Sequence, residues 1–202
     1  MKIELRYAGH PLDVKHYDTE KIRKEFLIER VFIPDEISLV YSLYDRYMVG
    51  GAMPVKKALK LETADDLKAN YFLERREIGI INVGGAAIIE TKGKVFKLGH
   101  KEALYLGKET KEVVFKSADP KKPAKLYINS APAHHVYPSR KVTLKEAEVV
   151  VLGSPEASNH RTINKLLVNS VIHTLPGLSS VIPIWSWHVW ITLFTSSLFI
   201  VL

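Results

Sequence analysis

Short runs of β-branched and aromatic residues, each closed by a glycine or another turn former, recur along most of this chain and restrict it to a strand-built fold. They cover residues 37–43, 47–53, 71–83, 86–91, 94–98, 103–106, 112–115 and 125–129. Gly84-Gly85, Gly99 and Gly107 separate several of them, Gly50-Gly51 punctuates 47–53, and Thr91-Lys92-Gly93-Lys94 places a glycine where a tight hairpin needs positive φ. Helix and strand do not alternate, which argues against a doubly wound nucleotide-binding fold. The expected class is mainly β, an antiparallel sandwich or small barrel with a few short helices. One amphipathic helix is expected over 18–30, with Asp18 or Thr19 as cap and Ile22, Phe26 and Leu27 on one side. Two shorter ones are expected over 63–70 and 143–148, each opened by a threonine followed three residues later by an acid, Asp66 or Glu146.

With 47% apolar residues in 202, the chain can fill the core of one generous domain or two small ones, which excludes disorder over most of its length. Its 29 basic and 22 acidic side chains leave 29 − 22 = +7, a moderate excess that suits a small anionic substrate as well as a polyanion. The basic loop Lys116, Lys121, Lys122 and Lys125 carries Pro120 and Pro123 but no interleaved aromatic platform, so a solvated loop is expected and no nucleic-acid partner. No cysteine is present, which removes disulfides, thiolate zinc sites and Cys nucleophiles and fits a reducing, cytoplasmic setting.

The charge is not spread evenly. Lys165 is the last charged residue, and 166–202 carry none, while Trp185, Trp187 and Trp190 all fall there. The 22-residue run 181–202 has the length of a bilayer span, for which about 20 residues suffice. Pro183, His188 and several Ser and Thr dilute it, and no basic residue flanks it closely, so a membrane anchor competes with a segment unrelated to the preceding fold, such as an out-of-frame product. The amino-terminal MKIELR lacks the apolar core of a signal peptide.

Few side chains suggest chemistry. Glu74-Arg75-Arg76-Glu77 interrupts an apolar run. In a strand, Glu74 and Arg76 would share one face and Arg75 and Glu77 the other, where the guanidinium groups either grip a carboxylate sugar or belong to a self-neutralising patch or subunit contact. His134-His135 lies between Pro132 and Pro138, and adjacent histidines in extended chain point apart, so a surface or rim role is expected rather than a metal pair. The other histidines are scattered singly, Gly84-Gly85 reads as a turn rather than a phosphate loop, and no Gly-x-Ser-x-Gly is present.

Three stretches carry a resemblance: YFLERREIGIINVGGAAIIETKGKVFKLGHKEALYLGKETKEVVF at 71–115, PAKLYINSAPAHHVYPSRKVT at 123–143, and NHRTINKLL at 159–167. With FLIERVFIPDEISLVYSLYDRYMVGGAMP from Phe26 onward, they make the chain similar to the 4-deoxy-L-threo-5-hexosulose-uronate ketol-isomerases as far as about His173. That resemblance implies a cytoplasmic enzyme of pectin and uronate breakdown that interconverts 5-dehydro-4-deoxy-D-glucuronate and 3-deoxy-D-glycero-2,5-hexodiulosonate. It further implies two cupin-like β-sandwich halves, one zinc per chain and a homo-oligomer, a hexamer in the family. Residues 1–175 correspond to the first half, and 176–202 form an apolar tail foreign to the family.

The zinc of such enzymes is held in the second half by a His-x-His-x-x-x-x-Glu run and a later His, none of which this chain contains; His173 and His188 do not match them. The expectation is therefore a truncated or frameshifted isomerase, inactive by itself, with membrane attachment not expected despite the tail. Among the residues present, Arg75, Arg76, Glu77 and His134 are the candidates for contact with a small anionic sugar or for packing against the second half. The competing reading is a non-catalytic β-sandwich with a scaffold or uronate-binding role, tethered by its tail.

Overall fold

A computed structural model describes residues 1–168 and, by backbone alone, the strands Trp190–Phe194 and Ser197–Val201. Ile37–Ser42 (β3) and Tyr47–Ala52 (β4) form a hairpin, and they join Lys2–Arg6 (β1), Arg76–Asn82 (β6), Ala103–Leu106 (β9), Leu126–Pro132 (β11) and Arg140–Val142 (β12) in a seven-stranded sheet ordered β1-β3-β4-β11-β6-β9-β12. A second sheet, ordered β5-β10-β7-β8, is built from Leu59–Lys60 (β5), Ala87–Thr91 (β7), Lys94–Leu98 (β8) and Val114–Ser117 (β10). The expected mainly-β sandwich is therefore present, and Gly93, at φ 86, closes the β7–β8 hairpin as its sequence predicts.

The apolar layer lies between these sheets. Ile37, Leu39, Met48, Ile78, Ile80, Leu104, Leu126 and Ile128 from the large sheet meet Leu59, Ile89, Leu98 and Phe115 from the small one. Alternation then sends the intervening residues to the opposite face of the large sheet, where Val40, Tyr47, Val49 and Tyr127 pack with Ile28 and Val31, and Tyr105 packs with Tyr137, Leu166 and Leu167. Both faces of the large sheet are thus covered, which explains why its central strands read as continuous apolar runs.

Three local features depart from expectation. β1 pairs with β3 in parallel, because the chain between them crosses over through the helices Pro11–Val14 (α1) and Thr19–Phe26 (α2). α2 starts at the predicted Asp18 cap but ends four residues before Arg30, since Leu27 turns extended and opens the short strand Leu27–Ile28 (β2). The Arg6 guanidinium donates to the Glu25 and Leu27 carbonyls there and so satisfies the helix end. The expected helix over 63–70 contracts to one 3₁₀ turn, Asp65–Leu67, stopped by Lys68 at φ 45. The predicted Thr143–Glu146 capping box forms, over the 3₁₀ turn Leu144–Glu146.

A hairpin of Glu148–Leu152 (β13) and Arg161–Lys165 (β14) follows. The apolar tail singled out at 176–202 lies outside the described residues except for the backbone of its two strands, which pair with each other and, through the second, with β2. Among the described residues no helix is long and apolar enough to cross a membrane.

Candidate functional site

The Glu-Arg-Arg-Glu run straddles the point where a turn becomes β6. Because the strand begins only at Arg76, the two charge pairs expected of an extended run do not form. Glu74 instead accepts from the backbone and side-chain amides of Asn70, and those bonds hold its carboxyl below the usual range. Arg75 is exposed, whereas Arg76 and Glu77 are buried on opposite faces of the sheet.

Arg76 enters at the end of the inner apolar layer, on the same face as Ile78 and Ile80. Its Nε donates to Ser130 Oγ at 3.1 Å, and its Nη2 donates to the carbonyls of Ser130 and Arg46, both at 2.8 Å. Its guanidinium also lies 5.4 Å from the centre of the Tyr41 ring. Every group it reaches is neutral, and burial lowers it to about 10, with the neighbouring Arg46 adding to the effect. Arg76 thus ties the β3–β4 turn to the ends of β6 and β11. R76K keeps the charge but not the planar fork, so it is expected to cost about 2–3 kcal/mol in urea unfolding of the full chain, the value of a charge-assisted hydrogen bond left unmade.

On the opposite face, Tyr105 donates to Glu77 Oε2 at 2.6 Å. Tyr47 and Tyr127 both donate to Asn129 Oδ1. Burial, with the Glu77 carboxylate beside it, pushes the Tyr105 phenol far up; burial likewise raises Tyr47 and Tyr127. All three phenols therefore stay neutral donors at any physiological pH, which suits them to fixing the sheet rather than moving protons.

The pocket beside Arg76 has a volume of about 160 Å³, and Tyr41, Arg46, Phe72, Arg75 and Pro132 help line it. It brings together Arg75 and Arg76, two of the residues singled out from the sequence. It excludes Glu77, on the other face, and His134, exposed in the loop after β11. Arg46 was not anticipated, since nothing in the turn Tyr44-Asp45-Arg46 relates it to residues thirty positions on. His135 packs edge-on against Tyr137, with ring centres 6.3 Å apart. A larger groove of about 610 Å³ runs along α2, but Arg6 and Arg23 in it are already paired with Glu4 and Glu29.

The Gly84-Gly85 turn is built for close backbone approach. The Asn82 amide donates to the carbonyls of Gly85, Leu98 and Gly99, and a Cβ at position 85 would stand 1.8 Å from the Lys122 carbonyl oxygen. No phosphate cradle is left there. Nor do the described residues fit the zinc that the resemblance implies, because no three His, Asp or Glu side chains among them converge.

Residues 30–175 match the KduI/IolB family profile. The chain belongs to that family. A 4-deoxy-L-threo-5-hexosulose-uronate ketol-isomerase of Bacteroides fragilis is 53% identical over 188 residues, which are 92% of this chain and 67% of the relative. One from Escherichia coli (strain SMS-3-5 / SECEC) is 47% identical over 191 residues, covering 92% of this chain and 69% of the relative. One from Formosa agariphila is 50% identical over 173 residues, covering 86% of this chain and 62% of the relative. The chain thus spans about two thirds of the length of these KduI/IolB relatives. Among solved structures, an IolB-like protein of Salmonella typhimurium LT2 superposes with a TM-score of 0.52 at 16% identity, over 69% of this chain and 52% of that one, which supports the cupin-like fold alone.

Proposed function

We propose that this chain serves the ketol isomerisation of 4-deoxy-L-threo-5-hexosulose uronate, the reaction for which its relatives are named. The observation that carries the reading is the 53% identity over 92% of the chain. The net charge of +7 agrees with an anionic sugar acid as substrate.

Ketol isomerisation transfers a hydrogen between adjacent carbons. It needs a group that carries the proton and a partner for the negative charge that develops on the enediolate oxygens. Residues 1–168 supply a sandwich packed solid by Phe115, Ile78, Leu126 and their neighbours, with no convergent set of metal ligands. In this reading they are the scaffold half of the isomerase, and the proton-transfer chemistry belongs to the part of the relatives' length that this chain does not span.

The test joins residues 1–168 to the remaining carboxyl-terminal portion of the Bacteroides fragilis relative. The chimera is expected to isomerise the uronate, while the 202-residue chain, with zinc supplied, gives no turnover. A chimera that folds and stays inactive would remove the isomerase reading. Turnover by the 202 residues alone would instead remove the assignment of the chemistry to the missing portion.

A further inference from the structure

We propose that the Arg46–Arg75–Arg76 pocket at the end of the sandwich interior binds a small oxyanion, either the carboxylate of a sugar acid or inorganic phosphate. The inference does not depend on the isomerase reading, and its test measures binding alone.

Three arginines line one cavity of about 160 Å³, among whose lining residues there is no acid. Among the described residues, no carboxylate lies within ion-pair distance of Arg46, Arg75 or Arg76. Of the acids adjacent to them along the chain, Glu74 is turned to Asn70, although it feels the charge of Arg75, Glu77 lies on the other face of the sheet against Tyr105, and Asp45 forms no ion pair among the described residues. A buried cation surrounded only by neutral partners is costly unless an anion completes it. Arg76 is that cation, 5% exposed, with one carbonyl, one hydroxyl and a second carbonyl taking its bonds.

The rest of the pocket is arranged around it. By gripping the Arg46 carbonyl, Arg76 holds the β3–β4 turn against the pocket, so that Arg46 and the exposed Arg75 line it together with Arg76. Arg46 sits at φ 52, a conformation that a non-glycine residue adopts at some cost, here within the turn that Arg76 anchors. A guanidinium is a planar fork suited to the two oxygens of a carboxylate or phosphate, and the two exposed arginines share this pocket with the apolar Phe72 and Pro132. The volume suits a free oxyanion or the carboxylate end of a sugar acid, not a nucleotide.

Phosphate and D-glucuronate are titrated separately into the full 202-residue chain by calorimetry, at constant ionic strength with chloride as reference. At least one is expected to bind saturably, and the preference between them identifies the source of the oxyanion. The double variant Arg46→Asn/Arg75→Gln leaves the Arg76 anchor intact and suits the backbone at position 46. It is expected to lower affinity about tenfold or more, with the unliganded melting temperature unchanged. Lys121→Gln/Lys122→Gln removes the same charge from a distant loop and is expected to leave affinity as it was. Absence of saturable binding of either anion overturns the proposal. So does wild-type affinity in the arginine variant, or an equal loss in the lysine variant.

Discussion

Replacing Phe115 by alanine is expected to lower the unfolding free energy by about 3–5 kcal/mol. Phe115 is fully buried, 0% exposed, in the small sheet, where Leu59 and Ile89 are its cross-strand neighbours. It projects into the layer that both sheets share, so its removal leaves a void bounded by β-sheet on two sides, and paired strands cannot collapse to fill it. Urea unfolding followed by circular dichroism measures the loss. Phe115→Leu, which restores most of the volume, should recover well over half of it. A loss below about 1 kcal/mol for the alanine variant would mean that the two sheets do not share this layer.

Gly50→Ala is expected to be more severe still. Gly50 lies on β4 opposite Leu39 of β3 and Ile128 of β11, at the centre of the large sheet. A Cβ there would stand 2.0 Å from the Ser38 carbonyl oxygen and 2.9 Å from Leu39 Cα, both backbone atoms of a hydrogen-bonded neighbour. Relief requires the two strands to part, so destabilisation beyond about 5 kcal/mol is expected, the whole stability of a domain at the lower end of the usual range of about 5–15 kcal/mol. The measurable result is loss of the soluble, β-rich protein. Gly93→Ala is the contrast: its Cβ meets nothing within 4 Å, so only the strain of φ 86 remains, about 1–2 kcal/mol.

Much of the sandwich can be read in the residues themselves. The runs around β3, β4, β6, β7, β8, β9, β10 and β11 are rich in Ile, Val, Leu, Tyr and Phe because they are buried on one or both faces, and burial is what such patterns encode. KIELR of β1 does alternate charged and apolar residues as a half-buried strand should, but with only two apolar residues, Ile3 and Leu5, it lacks the β-branched and aromatic density of the other runs. β5 and β12 are two or three residues long, too short for any period. β13 lay beside a true capping signal at Thr143, which marks the start of a turn but not its length.

The site was legible in part. Arg75 and Arg76 stood out as charges inside an apolar run, and both line the pocket. Glu77 carried the same signal but faces the other way, because the side-chain period of a strand separates neighbours. Arg46 had no signal at all. Its tie to Arg76 spans thirty residues and depends on the β3–β4 turn lying at the same end of the sheet as the start of β6, which is a fact of topology.

That topology also bears on how the protein is made. β11 is inserted between β4 and β6, yet it is the last of the three to be synthesised. Between the emergence of Ala52 and Leu126 a ribosome working at about 5–20 residues per second takes roughly 4–15 s, during which β4 waits with an unsatisfied edge, joined by β6 once Asn82 has emerged. The nascent chain must therefore carry two adhesive, half-built ribbons toward the moment the keystone strand arrives, the stage at which open edges are most prone to pair with other chains.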